Sequence, residues 1–191
     1  MERLQGVKLL GHDCIQRCLD IIFPRFCLGC QAHLKGSTSW RYFCESCAQD
    51  GFVCIEGPAC DHCGAPFYGD VQGARTCPKC IELAPAFSQG KALLEFRGLG
   101  RALVHGLKYR EGRFLLPDIA RCAEQSSAFK AFLKDAILVP VPLHSSKWRA
   151  RGYNQSECIA RCWGQIAGGL RVENLLTRSK STSSQTGLSR E

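Results

Sequence analysis

Apolar residues recur along this chain with two different periods, and a cysteine-rich stretch separates them. Leu9, Leu10, Cys14, Cys18, Ile21 and Ile22 return at three- and four-residue steps. That pattern predicts a short amphipathic helix within residues 1–24, stopped by Pro24. Beyond the cysteines, residues 86–96 (AFSQGKALLEF) predict a strand. Residues 97–112 predict a helix with Leu99, Leu103 and Leu107 on one side. Residues 113–135 predict helix on both sides of Pro117. The almost wholly apolar AILVPVPL, 136–143, predicts a strand of the kind buried on both faces in α/β sheets. A further helix is expected over 154–168, with Ile159, Cys162, Trp163 and Ile166 on one face. Asn154 and Glu157 form a variant capping box at its start. LRVENLLTR, 170–178, predicts a last strand, and the polar, Ser/Thr-rich 179–191 predicts a mobile loop or tail.

Strands alternating with helices imply an α/β sheet of parallel character. At 191 residues, the chain has room for a small domain followed by a larger one. No apolar run approaches the ~18 residues that a membrane span needs. The first 24 residues carry scattered charges and lack the apolar core of a signal peptide. The expectation is a soluble, cytoplasmic protein.

Cysteine spacing adds the first chemistry. Of 14 cysteines, eight form CxxC pairs: Cys27/Cys30, Cys44/Cys47, Cys60/Cys63 and Cys77/Cys80. The spacing C-x2-C-x13-C-x2-C occurs twice, which predicts two tandem copies of one small unit. In a reducing compartment such knuckles are zinc ligands rather than disulfides. Two knuckles complete a four-thiolate site with no open position, so the metal is structural. The repeat favours sequential pairing: Cys27, Cys30, Cys44 and Cys47 on one zinc, Cys60, Cys63, Cys77 and Cys80 on the other. A crossed pairing of first knuckle with third stays open, as does His62 replacing a cysteine. A thioredoxin-type redox role fits poorly with four tandem motifs. The remaining cysteines read as small buried hydrophobes.

Charge then separates the two halves. Residues 1–85 hold 8 Lys/Arg against 9 Asp/Glu, and residues 86–191 hold 17 against 8. The basic half favours a phosphorylated ligand or nucleic acid, although a solvated basic surface fits charge alone equally well. Within it, the apolar run ending at Leu143 is followed by Lys147, Arg149, Arg151, Gly152 and then Asn154. Strand, basic glycine-containing loop and helix is the order of an anion site, with arginines for bidentate contacts and Lys147 as a point charge. Gly152 permits a close approach or a sharp turn.

The cysteine-rich start, HGLKY at His105 to Tyr109, VPVPLH and RGYNQSE together resemble the ComF family of phosphoribosyltransferase-like competence proteins. The resemblance runs from about Phe23 to Glu191. It implies a double zinc ribbon at 25–84 and an α/β domain of type I phosphoribosyltransferase-like fold at 85–191, a parallel sheet with flanking helices. It also implies a phosphoribosyl pyrophosphate-like ligand, its pyrophosphate held by Lys147, Arg149, Arg151, Gly152 and Asn154. Arg178, Thr182 and Gln185 match an R-x-x-x-T-x-x-Q stretch that resembles the mobile loop closing over such sites. In that fold two acidic residues and a Thr-Thr-Gly turn grip ribose and 5-phosphate, and this sequence has no such pattern. The expected α/β domain is therefore incomplete, lacking its C-terminal strands, and enzyme activity is left open. Magnesium would be needed only by a complete transferase site.

Two other readings stand beside this one. A zinc-ribbon accessory protein without enzyme activity would bind single-stranded DNA, stacking bases on Trp148 and Tyr153 between Arg149 and Arg151. DNA-uptake proteins are partners implied by the resemblance. The bland alternative is an incompletely folded fragment with an uncovered sheet edge.

Overall fold

The computed structural model describes residues 23–36, 39–69, 72–73, 75–109 and 112–182. The helix expected within 1–24 therefore falls almost wholly outside the described residues. The described residues hold seven α-helices in order: α1 (Glu45–Gly51), α2 (Pro78–Leu83), α3 (Gly98–Tyr109), α4 (Leu116–Gln125), α5 (Ser127–Leu133), α6 (Ser145–Arg151) and α7 (Gln155–Ile166). A 3-10 turn, Gly112–Leu115, joins α3 to α4.

Helices α3, α4, α5 and α7 lie within the segments whose periodicity predicts helix. Leu103 and Leu107 of α3 are buried. Pro117 sits in the first turn of α4, where its missing N–H costs nothing, and Ile119, Cys122 and Ala123 turn inward. Ser126 caps α5, its hydroxyl oxygen accepting from the Phe129 N–H at 3.2 Å. Phe129 then meets Trp163 of α7 edge to face, with ring centroids 4.7 Å apart. α4 and α7 pack against each other, and the Cys162 thiol donates to the Leu116 carbonyl at 3.6 Å.

The expected parallel sheet does not form among the described residues, which hold only isolated bridges. Leu138 pairs in parallel with Val172: its N–H donates to Arg171 O at 2.9 Å, and its carbonyl accepts from the Glu173 N–H at 3.0 Å. The next rungs on that edge belong to Pro140 and Pro142, which have no N–H to donate, so the ladder stops. Ile137 and Val139 turn their backbone to the opposite edge, where no backbone partner lies among the described residues. Beside it an apolar cleft of about 450 Å³ opens between α3 and α7, lined by Leu103, Leu107, Val141, Ile159 and Trp163 among others.

The strand expected over 86–96 is likewise absent. Glu95 N–H donates to Val53 O and Ile55 N–H to Leu93 O, which pairs this segment with the link between the two cysteine units. Gly90 lies so close to the Cys63 backbone that a Cβ would stand 3.1–3.2 Å from it, and its N–H donates to His62 O. Contact with the second cysteine unit thus replaces a place in a sheet.

Candidate metal centres and the basic loop

Both cysteine units are built from the same parts. Each opens with a knuckle in a tight turn and closes with a helix whose N-cap is a cysteine, Cys44 for α1 and Cys77 for α2. The Sγ atoms of Cys27, Cys30, Cys44 and Cys47 lie within 4.8 Å of one another, as do those of Cys60, Cys63, Cys77 and Cys80. The pairing is therefore sequential, not crossed.

The donor sets fit zinc. Four thiolates at ~2.3 Å from a tetrahedral ion lie about 3.8 Å apart along each edge. Cys30 and Cys44 sulfurs stand 3.7 Å apart, and those of Cys63 and Cys77 3.8 Å. Backbone N–H groups aim at the sulfurs: Gly29 and Cys44 at Cys27 (3.4 and 3.3 Å), Cys47 at Cys44 (3.4 Å), and Cys77 at Cys60 (3.2 Å). Such donors disperse the formal −2 of a zinc-loaded four-thiolate cluster.

The same donors order the deprotonations. Burial pushes the Cys27 thiol up, but the N–H groups of Cys30, Cys44 and Gly29 outweigh it and bring the pKa down to about 6. Hydrogen bonds from the Cys63 and Cys77 backbone bring Cys60 down to about 6 as well. Cys47, bonded to the thiols of Cys44 and Cys30, is pushed up to about 12. Cys80 also reaches about 12, through burial and then the thiols of Cys63 and Cys77. Cys27 and Cys60 thus favour the thiolate at neutral pH, whereas Cys47 and Cys80 hold protons that metal binding must release. His62 is not among the ligands: its Nε2 lies 3.0 Å from Pro85 O and its ring against Phe87.

The basic segment is not an open loop, as the sequence led us to expect, but the short helix α6. His144 caps it, Nδ1 accepting from the Ser146 N–H at 3.3 Å. Gly152 ends it in the left-handed region at φ 75°, where its N–H donates to Trp148 O at 2.8 Å. Nothing lies within 4 Å of where its Cβ would be, so this glycine serves a turn rather than a close approach. Arg149 and Arg151 fall in the last turn of α6, favoured there by the helix dipole. Lys147 is half-buried, Arg149 exposed, and Arg151 donates from Nη1 to Gln155 Oε1 at 2.8 Å.

Asn154 is placed by both ends of its side chain. Oδ1 accepts from the Ser156 N–H at 3.0 Å, and Nδ2 donates to Val141 O at 3.0 Å. Glu157 does not complete a capping box; it pairs with Arg161 at 2.7 Å. Farther along, Arg178 donates to the Thr182 hydroxyl, while Gln185 lies outside the described residues.

One functional-looking side chain was not legible beforehand, and one expected at the surface is buried. Asp118 in the first turn of α4 is 1% exposed, and its two oxygens accept from the Arg41 and Tyr42 N–H groups at 2.6 and 2.9 Å. Tyr153, expected to stack a base, is instead buried at 8% exposure between the basic helix and α7, and donates its hydroxyl to Leu107 O in α3.

Residues 18–81 match the double zinc ribbon domain family. Competence protein F of Haemophilus influenzae is 28% identical over 142 residues. Both matches support a ComF-family assignment. The second covers 69% of this chain and 58% of the relative, so the ComF-like similarity spans well under two thirds of that protein's length. No solved structure matches. The two four-cysteine groups fit the two sites of a double zinc ribbon. Among the described residues no helix is long and apolar enough to cross a membrane.

Proposed function

We propose that this chain is a ComF-like, phosphoribosyltransferase-type protein linked to DNA uptake, which binds a pyrophosphate-containing ligand through Lys147, Arg149, Arg151, Gly152 and Asn154. The division is a double zinc ribbon at 25–84 and a transferase-like part at 85–191, working in the cytoplasm. One observation carries the reading: three cations on a single helical turn and a half, held by Gly152 against the N-terminus of α7. Arg149 is exposed and able to offer a bidentate fork to such an anion. In this reading Arg178 and Thr182 belong to the segment that closes over the ligand. The proposal is for binding; turnover, and magnesium with it, would require residues to grip ribose and 5-phosphate that are no part of it. The name of the competence relative is what brings DNA uptake into the reading.

Calorimetry with inorganic pyrophosphate tests this directly. One site is expected, with Arg149→Ala/Arg151→Ala weakening it about tenfold or more, the loss of charge-assisted contacts. Unchanged affinity in that variant would refute the site.

A second reading has one observation of its own. Trp148 is 53% exposed beside Arg149, a surface suited to stacking a base while neutralising a phosphate. Trp148→Ala would then weaken binding of an oligo-dT strand, measured by fluorescence anisotropy across a salt series, and leave pyrophosphate affinity unchanged.

A further inference from the structure

The segment Arg41–Cys44 lies between the first cysteine cluster and the helical half, and it is bonded to both. On one side the Arg41 and Tyr42 N–H groups donate to the two carboxylate oxygens of Asp118. On the other, the Tyr42 carbonyl accepts from the N–H of Leu28, inside the first knuckle, at 2.9 Å. Two residues on, the Cys44 N–H donates to Cys27 Sγ. Side chains reinforce the link. The Tyr42 ring meets Phe114 of the 3-10 turn edge to face at 4.7 Å, and Phe43 is fully buried. Leu99 of α3 packs onto Gly29 and Gly51, where an added Cβ would stand 3.3 and 2.5 Å from it.

Among the described residues the second cluster has no counterpart. Its buried cysteines form a separate apolar group with Cys63 and Phe67, apart from the main core. Its hydrogen bonds outward run to the Pro85–Gly90 link and not to a helix of the helical half.

We propose that the first zinc site and Asp118 form one joint, so that loading of the first site, and not of the second, sets how firmly α4 and α7 pack. Zinc holds Cys27 and Cys44 together, which holds the Arg41–Tyr42 peptides against Asp118. When that cluster opens, a buried carboxylate on the first turn of α4 loses both donors, a costly state that α4 relieves by moving or fraying. Coupling is reciprocal, so loosening the Asp118 end must weaken zinc retention at the first site.

Hydrogen exchange on the full zinc-loaded chain reads this out in peptides from 116–125 and 155–166. Cys44→Ser is expected to lower protection there about tenfold or more, and Cys77→Ser to leave it within about twofold. Asp118→Asn presents an amide that cannot accept at both positions, and it should lower protection in the same peptides. Adding Cys44→Ser to Asp118→Asn should then change little, whereas Cys77→Ser and Asp118→Asn act independently. Should Cys44→Ser unfold the whole chain, release of zinc from Asp118→Asn to a chromogenic chelator decides the matter. One of the two ions is expected to leave faster than in the wild type. Equal loss of protection in Cys44→Ser and Cys77→Ser, or unaltered release of both ions in Asp118→Asn, would overturn the joint.

Discussion

The two zinc ribbons share one cysteine spacing and one local build, and differ in what packs around them. In the first, Leu34, Trp40, Phe43 and Phe52 join the same core as Leu103, Leu107, Leu115 and Ile119 of the helical half. In the second, three buried cysteines and a partly buried Phe67 make up almost the whole apolar group. The second ribbon therefore owes its fold to metal, as a small unit without a core must. The first combines metal with burial. Equal ligand geometry does not mean equal weight in the fold, because a cluster's effect on the rest depends on what its flanking residues touch.

That contrast can be broken or sharpened in steps. Acid should act most strongly, and on both ribbons alike. The lead thiols, Cys27 and Cys60, are both brought down to about 6. A depressed pKa means the thiolate persists at neutral pH and is lost as pH falls through that value, which adds one more competing proton at each cluster. Zinc occupancy measured against pH should stay full near neutrality and fall for both ions together in mildly acidic buffer. Well-separated losses would mean that the two clusters differ at the metal itself.

Core truncation comes next. Phe43→Ala removes a fully buried ring from the shared core, at a cost of about 3–5 kcal/mol in denaturant unfolding. Phe67→Ala removes a ring that is only partly buried, and should cost roughly half of that or less. A smaller contrast follows at two glycines. Gly51→Ala would set a methyl 2.5 Å from Leu99 and should destabilise by about 1–3 kcal/mol, whereas Gly57→Ala meets nothing within 4 Å and should be nearly silent.

Much of this was legible beforehand because it is local. The eight ligands and their sequential pairing follow from a repeated spacing. The helices α3, α4 and α7 follow from periodicity, with Pro117 and Asn154 at the starts of two of them, whereas the break at Ser126 that sets α5 apart was not read. The sheet was misread because AILVPVPL has the apolar content of a buried strand, while its two prolines share the parity of Leu138 and remove the donors of the next rungs. In the basic segment, His144 and Gly152 are helix caps that the reading as a loop passed over. Asp118 was hidden for a different reason. An acidic residue in a first helical turn looks sufficient in itself, and its partners lie 76 and 77 positions away.

The most direct test of the paired ribbons is the zinc content of two double variants, measured by native mass spectrometry. If the sites are sequential, Cys27→Ser/Cys44→Ser damages only the first and keeps one zinc, whereas Cys44→Ser/Cys77→Ser damages both and keeps none. Crossed sites would give the reverse, no zinc in the first variant and one in the second, and would contradict the account.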